Sequence, residues 1–205
     1  MIIAVDGPAA SGKGTIARAL ARHYGLPHLD TGLLYRAVAL SVQRMELDPE
    51  IEADAVAACA FDDAMLNDDA LRNDDIGKLA SVVSAHPLVR AALLQRQKRF
   101  ANQPGGAVLD GRDIGTVIAP DADAKLFVKA TPQIRARRRH AELQGRGSTL
   151  SLDKVLADIR ARDERDSSRS TAPLVMAPDA ALLDTSFLSI EASVQKAIAL
   201  VEAQR

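Results

Sequence analysis

The 205-residue sequence contains little cysteine, few aromatic residues and almost no net charge. Its single cysteine, Cys59, cannot form an intrachain disulfide, which favours a reducing, cytoplasmic setting. Aromatic residues make up 3% of the chain and tryptophan is absent, so the stacking platform of a single-strand-binding protein is not expected. A formal net charge of -1 gives no overall attraction to nucleic acid or to an anionic membrane.

Long apolar runs are also missing. No run approaches the roughly 18 residues of a membrane-spanning helix, and Asp6 interrupts the apolar run Ile2–Val5 too early for a signal peptide. Hydrophobic residues nevertheless form 47% of the chain, which is enough for one substantial core. We therefore expect a cytoplasmic monomer with no membrane or nucleic-acid partner. Positive charge is instead clustered around Arg135–Arg139 and Arg160–Arg169, which indicates local anion sites.

Short apolar runs alternate with helical patterns along most of the chain. The apolar runs are Met1–Val5, Ala107–Leu109, Lys125–Val128 and Ala180–Leu183. A helical pattern begins at Thr15, and the last helix has an apolar stripe running from Ile190 to Val201. This alternation predicts an α/β fold in which helices cover both faces of a parallel sheet.

Two segments do not follow the alternation. Residues 34–102 contain helical stretches without a convincing strand, and Pro87 divides a helix near Ile76–Ser84 from one near Leu88–Ala101. Residues 144–172 are rich in Arg, Asp, Ser and Gly. We expect both segments to be functional additions to a single domain, whose core comprises residues 1–33, 103–143 and 173–205.

The strongest motif follows the first predicted strand. It has the spacing G-x-x-x-x-G-K of a phosphate-binding P-loop and consists of Gly7, Pro8, Ala9, Ala10, Ser11, Gly12, Lys13, Gly14 and Thr15. Main-chain N–H groups and the following helix N-terminus favour phosphate oxygens there, and Lys13 adds a point charge. Gly14 takes the usual place of a hydroxyl residue, so Thr15 is the candidate to approach Mg²⁺. The chain contains no Asn-Lys dipeptide, which argues against a guanine-reading switch.

Three further motifs agree with the first in order and spacing. They are Asp30-Thr31-Gly32-Leu33-Leu34-Tyr35-Arg36, Asp110-Gly111-Arg112-Asp113-Ile114-Gly115-Thr116-Val117 and Arg162-Asp163-Glu164-Arg165-Asp166-Ser167-Ser168-Arg169. Together with Gly-Lys-Gly-Thr, they closely resemble bacterial cytidylate kinases. The resemblance implies a P-loop core with five parallel strands, a monophosphate-binding insertion at about 34–102 and a lid at about 144–172. It also implies transfer of the γ-phosphoryl group of ATP, with Mg²⁺, to CMP and dCMP.

The resemblance assigns the acceptor site residue by residue. Arg36 and Arg112 would hold the phosphate of CMP, since guanidinium groups suit a dianion. Asp113 would accept a hydrogen bond from the cytosine amine and repel the uracil carbonyl. The remaining CMP-binding candidates are Thr31, Tyr35, Ser81, Arg90, Arg162, Asp166 and Arg169.

The last motif also makes a geometric prediction. Arg162, Asp166 and Arg169 have the spacing i, i+4 and i+7, so a helix would place them on one face. The resemblance implies that Arg162 and Asp166 contact the ribose and that Arg169 stabilises the transferring phosphate. It further implies that Arg138 or Arg139 reaches the nucleotide phosphates from the base of the lid. Asp110 would orient hydrated Mg²⁺, as would Thr15.

Some alternatives remain open on sequence grounds. The interval Phe61–Ala80 is rich in Asp and Asn and leaves room for one hairpin at best, so the strictness of base selection is unsettled. A UMP/CMP kinase or a shikimate-type kinase would carry the same first motif. From a different class, a nucleotide-dependent switch would bind ATP without CMP-dependent release of ADP.

Overall fold

The fold is built on one sheet of five parallel strands. The computed structural model describes all residues, 1–205. The strands are β1 (Ile2–Asp6), β2 (His28–Asp30), β3 (Ala107–Gly111), β4 (Ala124–Lys129) and β5 (Ala181–Asp184). Their order across the sheet is β2-β3-β1-β4-β5, so the strand that precedes the P-loop lies in the middle. The predicted α/β fold is therefore confirmed, because parallel strands are connected by helices that cover both faces.

Helices of the core pack on both faces of this sheet. On one face, α1 (Lys13–Tyr24) and α8 (Ile190–Glu202) bury Ile16, Leu20 and Val201 against the strands. On the other face lie α5 (Pro87–Ala101) and a short π-helical turn, Ile114–Ile118. The carboxyl ends of all five strands meet at one edge, which is where ligands bind in open α/β sheets.

The insertion between β2 and β3 is entirely helical. It consists of α2 (Thr31–Arg44), α3 (Glu52–Ala57), the 3₁₀ turns Asp63–Asn67 and Asp69–Arg72, α4 (Asp74–Val83) and α5. The interval that had room for a hairpin forms the two 3₁₀ turns instead. Asp62 and Asp68 begin them, because each carboxylate accepts a hydrogen bond from the main-chain N–H two residues later, at 2.8 Å. The division at Pro87 is as predicted.

Two further helices form a pair beside the sheet edge. Residues of α6 (Pro132–Gln144) and α7 (Leu152–Ser168) share a small apolar cluster made by Ala136, Leu143, Val155 and Ile159. Arg135 of α6 binds Asp163 of α7 through two hydrogen bonds of 2.9 and 2.6 Å. None of the helices in the structure is long and apolar enough to cross a membrane.

Candidate active site

The P-loop connects β1 to α1 and is shaped by its backbone conformation. A Cβ atom on Gly7 would lie 2.1 Å from the carbonyl oxygen of Val128, so only glycine fits there. Ala10 and Gly12 have φ values of 57° and 92°, in the left-handed region that turns main-chain N–H groups inward. No side chain caps α1, and its first turn carries no acidic residue. The helix N-terminus is therefore available to an anion.

Lys13 is the one lysine of this loop, and it makes no ion pair in the structure. Burial lowers the pKa of Lys13 to about 8, with a smaller contribution from the positive charge of Arg112. The carboxylates of Asp110 and Asp30 oppose this shift. A bound phosphate would reverse it, since an opposite charge stabilises the ammonium form.

A cleft of about 440 Å³ lies beside the loop. Its walls come from the loop and α1, from α6, and from the segment between β5 and α8. The lining residues are Ala10, Gly12, Thr15, Ile16, Arg138, Arg139, Glu142, Thr185, Leu188, Ser189, Ile190 and Ser193. Residues 185–193 were not predicted to contribute to this cleft. Their position directly after a predicted strand was the available signal, because such loops reach the ligand edge of the sheet.

Arg138 lines this cleft beside the P-loop. Its Nη1 donates to Thr185 Oγ1 at 3.0 Å and its Nη2 donates to the Thr185 carbonyl oxygen at 2.6 Å. Nη1 also lies 3.4 Å from the Ser11 carbonyl oxygen. Since its partners are neutral oxygens rather than carboxylates, the positive charge of Arg138 remains available to a phosphate.

A second pocket opens at the end of β3, between the insertion and α7. Its lining residues are Thr31, Gly32, Tyr35, Ala80, Ser84, Arg90, Gly111, Arg112, Asp113, Arg162, Asp166 and Arg169. Most of the acceptor residues suggested by the sequence thus lie together, although they come from distant parts of the chain. The exceptions are Arg36 and Ser81.

Positive charge exceeds negative charge in this acceptor pocket. Arg112 Nε donates to Asp166 Oδ2 at 2.7 Å, and Arg90 Nη2 donates to Asp113 Oδ2 at 2.5 Å. Arg169 Nη1 lies 3.8 Å from Asp166 Oδ1, and the other oxygen of this carboxylate accepts the hydrogen bond from Arg112. Buried guanidinium nitrogens of Arg162 and Arg169 have no partner. Burial lowers the pKa of Arg162 to about 10, and the charge of Arg112 adds to this effect. The pocket would therefore gain from a bound anion.

Arg169 reaches the pocket by a different route from the predicted one. Helix α7 ends at Ser168, and Arg169 has the extended backbone angles φ -63° and ψ 142°. The chain then folds back, because the N–H of Leu174 donates to the Asp166 carbonyl oxygen at 2.7 Å. Arg169 Nε donates to the Ala172 carbonyl oxygen at 2.6 Å. The prediction that a helix presents Arg169 was wrong, since the turn after α7 presents it.

Arg36 and Ser81 lie near the pocket but not on its lining. Arg36 Nη1 donates to the carbonyl oxygens of Leu71 and Asn73, at 2.7 and 3.1 Å. Ser81 is buried, and its Oγ accepts a hydrogen bond from Arg165 Nε at 3.3 Å. Ser84, three residues further along, lines the pocket in its place. No pattern in the sequence favours Ser84 over Ser81.

The residues suggested for Mg²⁺ have a compatible donor chemistry. Asp110 is buried between the two pockets, and its Oδ1 lies 2.7 Å from His28 Nε2. Its Oδ2 makes no hydrogen bond and faces Gly14. Asp30 is paired with Asp110 across the sheet, and burial together with this neighbouring carboxylate raises the pKa of Asp30. Hard oxygen donors next to the phosphate loop fit Mg²⁺ bound through water.

Comparison with known proteins identifies the family. The family described as cytidylate kinase matches residues 3–203. A cytidylate kinase from Xanthobacter autotrophicus is 62% identical over 206 residues, covering 100% of this chain and 99% of the relative. One from Azorhizobium caulinodans is 59% identical and covers 100% of both chains.

Solved structures show the same fold at much lower sequence identity. A gluconokinase from Sinorhizobium meliloti superposes with a TM-score of 0.53 at 16% identity, covering 98% of this chain and 91% of the other. An uncharacterized protein from Eubacterium ventriosum gives a TM-score of 0.55 at 14% identity and 99% coverage of both chains. These likenesses concern the fold alone. The sequence relatives are members of the family that the motifs indicated. The chain therefore belongs to the cytidylate kinase family.

Proposed function

We propose that the two pockets hold ATP and CMP end to end, with the phosphates meeting between Lys13 and Arg112. Phosphorylation of CMP by ATP follows from family membership. The proposal concerns which residues perform it. It is supported by the influence of Arg112 on the pKa of Lys13, which requires the two charges to lie close together.

The observation that carries the proposal is the excess of guanidinium groups in the acceptor pocket. Arg112 and Arg169 share one carboxylate, Asp166, and the buried Nε of Arg162 has no partner. A phosphate monoester dianion would supply the missing negative charge through bidentate hydrogen bonds. Arg36 uses only Nη1 for its two carbonyl contacts, so its other N–H groups can join this phosphate site.

Asp113 is proposed to select the base. One carboxylate oxygen, Oδ2, is bound to Arg90, and the other can accept a hydrogen bond from the exocyclic amine of cytosine. Uracil presents a carbonyl oxygen at that position and would be repelled. Tyr35 completes this part of the pocket, because the Arg90 guanidinium lies 5.3 Å from its ring centroid. Thr31, which lines the pocket, and Ser81 are proposed as further CMP contacts.

Asp166 and Arg162 are proposed to contact the ribose, and Arg169 the transferring phosphoryl group. The acceptor is already an anion, so the reaction needs no strong general base. Its main requirement is to bring negative phosphates into line and to stabilise the charge that shifts between them. Lys13, the amides of residues 7–15, Arg138 and Arg112 would supply this stabilisation.

Mg²⁺ bound to ATP would neutralise part of the phosphate charge, and Asp110 and Thr15 would hold it through water. The structure offers no group of three metal-ligating side chains, so phosphate oxygens would supply most of its ligands. We assign the insertion, about 34–102, to CMP binding and the segment at about 144–172 to a lid. Arg146 links these segments, since its Nη1 donates to the Arg72 carbonyl oxygen at 2.9 Å. Closure would exclude water from the transfer.

Release of ADP with a panel of acceptors tests this proposal. We expect turnover with CMP and dCMP, and a preference for CMP over UMP of at least about 1–3 kcal/mol, the size of one bidentate base contact. AMP should be a poor acceptor. Equal efficiency with CMP and UMP would contradict the role of Asp113. A crystal structure with CMP bound away from Arg36 and Arg112 would contradict the acceptor site itself.

A further inference from the structure

Asp6 is a buried carboxylate that lines neither pocket. It is the last residue of β1 and directly precedes the P-loop. Both of its oxygens accept hydrogen bonds from main-chain amides: Oδ1 from Ile114 and Oδ2 from Gly115, each at 2.8 Å. No arginine or lysine forms an ion pair with it, so these amides are its principal partners.

The two amides belong to the segment that carries the acceptor residues. Ile114 and Gly115 immediately follow Arg112 and Asp113 and begin the π-helical turn. A second contact braces the same segment, since the Gly7 N–H donates to the Gly111 carbonyl oxygen at 3.3 Å. The segment from Gly111 to Gly115 is thus fastened to the start of the P-loop on both sides of the acceptor residues.

Gly115 packs closely against Asp6 and the side chain of Lys125. A Cβ atom there would lie 3.4 Å from Asp6 Oδ2 and 3.2 Å from Lys125 Cδ. Burial raises the pKa of Asp6 to about 6, and the nearby charge of Asp113 adds to the shift. The protein therefore keeps a carboxylate whose ionised form is costly at this position. A neutral amide side chain could accept only one of the two hydrogen bonds through its single oxygen.

We infer that Asp6 is a positioning residue, which fixes Arg112 and Asp113 relative to the donor phosphates and thereby sets acceptor alignment and base selectivity. This rests on the acceptor roles proposed above. The donor loop has separate supports. Arg135 Nη1 donates to the Ala9 carbonyl oxygen at 3.2 Å, and Thr185 Oγ1 donates to the Ser11 carbonyl oxygen at 2.8 Å. Losing the Asp6 contacts should therefore move the acceptor segment while the P-loop keeps its shape.

The primary test is Asp6→Asn. The second amide would then face an NH₂ group, so the acceptor segment should shift. We expect kcat/KM for CMP to fall by about 100-fold, the scale of a small misplacement of reacting groups. The ratio of kcat/KM for CMP to kcat/KM for UMP should fall. The Kd of ADP should change by less than about threefold, which is no more than the net free energy of one typical hydrogen bond. The matched control is Asp123→Asn, which alters a carboxylate that binds the N–H of Ile2 at the opposite end of β1. It should leave both efficiencies unchanged.

Gly115→Ala tests the same contact from the other side and keeps the carboxylate. It should also lower kcat/KM for CMP and lower the ratio of kcat/KM for CMP to kcat/KM for UMP. The double variant should lose less than the product of the two single losses, because both changes act on the same contact. The inference is overturned if CMP efficiency stays normal in Asp6→Asn, or if ADP affinity falls in parallel with it. Should Asp6→Asn fail to fold, Gly115→Ala decides alone by the same criteria. Absence of CMP turnover in the unaltered protein would instead refute the proposed function.

Discussion

The two ends of the cleft are prepared for phosphate in different ways. The donor end uses main-chain amides, a helix N-terminus and one lysine from residues 7–15, and only Arg138 comes to it from a distant helix as a proposed phosphate contact. The acceptor end uses the side chains of Arg90, Arg112, Arg162 and Arg169, which α5, the β3 loop, α7 and the turn after α7 supply. Local backbone geometry therefore defines the first site, and tertiary structure assembles the second.

This difference has an energetic consequence. Main-chain amides stay polar at every pH and need no partner charge to hold them in place. The acceptor arginines depend on buried carboxylates, through the contacts of Arg112 with Asp166 and of Arg90 with Asp113. Removing one member of such a pair leaves an uncompensated buried charge, which is destabilising. Substitutions at the acceptor end should consequently affect both catalysis and folding, unless they remove a group that has no full partner.

The largest effect should follow from removing the one lysine of the P-loop. Lys13→Met keeps the length of the side chain and deletes its charge. We expect kcat to fall by about 10³-fold, the upper range for loss of one transition-state contact. Lys196→Met, an exposed change on α8, is the matched control and should be neutral. Turnover of Lys13→Met within tenfold of normal would mean that the amides suffice without the lysine.

Arg169 tests whether an acceptor arginine can be removed without loss of the fold. It shares Asp166 with Arg112 at 3.8 Å and has a buried nitrogen without a partner. Arg169→Ala should lower turnover by about 100-fold and leave the thermal midpoint nearly unchanged. Arg160→Ala, at an exposed position on α7, serves as the control for loss of a surface charge. Near-normal turnover would remove Arg169 from the mechanism.

Asp113 separates base selection from phosphate binding. Asp113→Asn keeps an oxygen of similar shape and adds an NH₂ donor that uracil can use. We expect the preference for CMP over UMP to shrink by about tenfold or more, since a bidentate base contact is worth about 1–3 kcal/mol. Competition assays with both monophosphates measure this ratio directly. A uniform loss on both substrates would indicate that Asp113 only holds Arg90.

Structural elements that are determined by residues close together in the sequence could be predicted. The P-loop, its flanking strand and helix, and the division at Pro87 all follow from local patterns. Strand β2, His28–Asp30, is the instructive omission. It has three partly buried residues and only one apolar side chain, so it carries no pattern that distinguishes it from a loop. Its pairing with β3 creates the strand, and that pairing is a tertiary contact.

The acceptor pocket shows the limit of residue spacing. The i, i+4, i+7 interval of Arg162, Asp166 and Arg169 predicted a shared helical face, but α7 ends one residue too early. Arg36 stays a proposed contact of the acceptor phosphate, but its spacing did not indicate that two carbonyl oxygens near the second 3₁₀ turn bind its Nη1. Those carbonyls belong to Leu71, within that turn, and to Asn73, directly after it. A local pattern could indicate the arginines but not their partners.

The smallest predicted effect is a pH dependence that should appear at one end of the cleft only. Burial lowers the pKa of Lys13 to about 8, so its ammonium form is lost as the pH rises above that value. With CMP kept well below its KM, so that no acceptor phosphate lies beside Lys13, kcat/KM for ATP should therefore fall by up to about tenfold per pH unit above 8.

With ATP saturating, the triphosphate keeps Lys13 protonated, and the acceptor arginines stay charged because even Arg162 has a pKa of about 10. The decline in kcat/KM for CMP should then begin at higher pH. Lys13→Arg is the matched control, because its guanidinium does not titrate in this range and the decline for ATP should disappear. The same decline in both profiles would show that the titrating group is not confined to the donor end. The amide-based and arginine-based phosphate sites would then not differ in their response to pH.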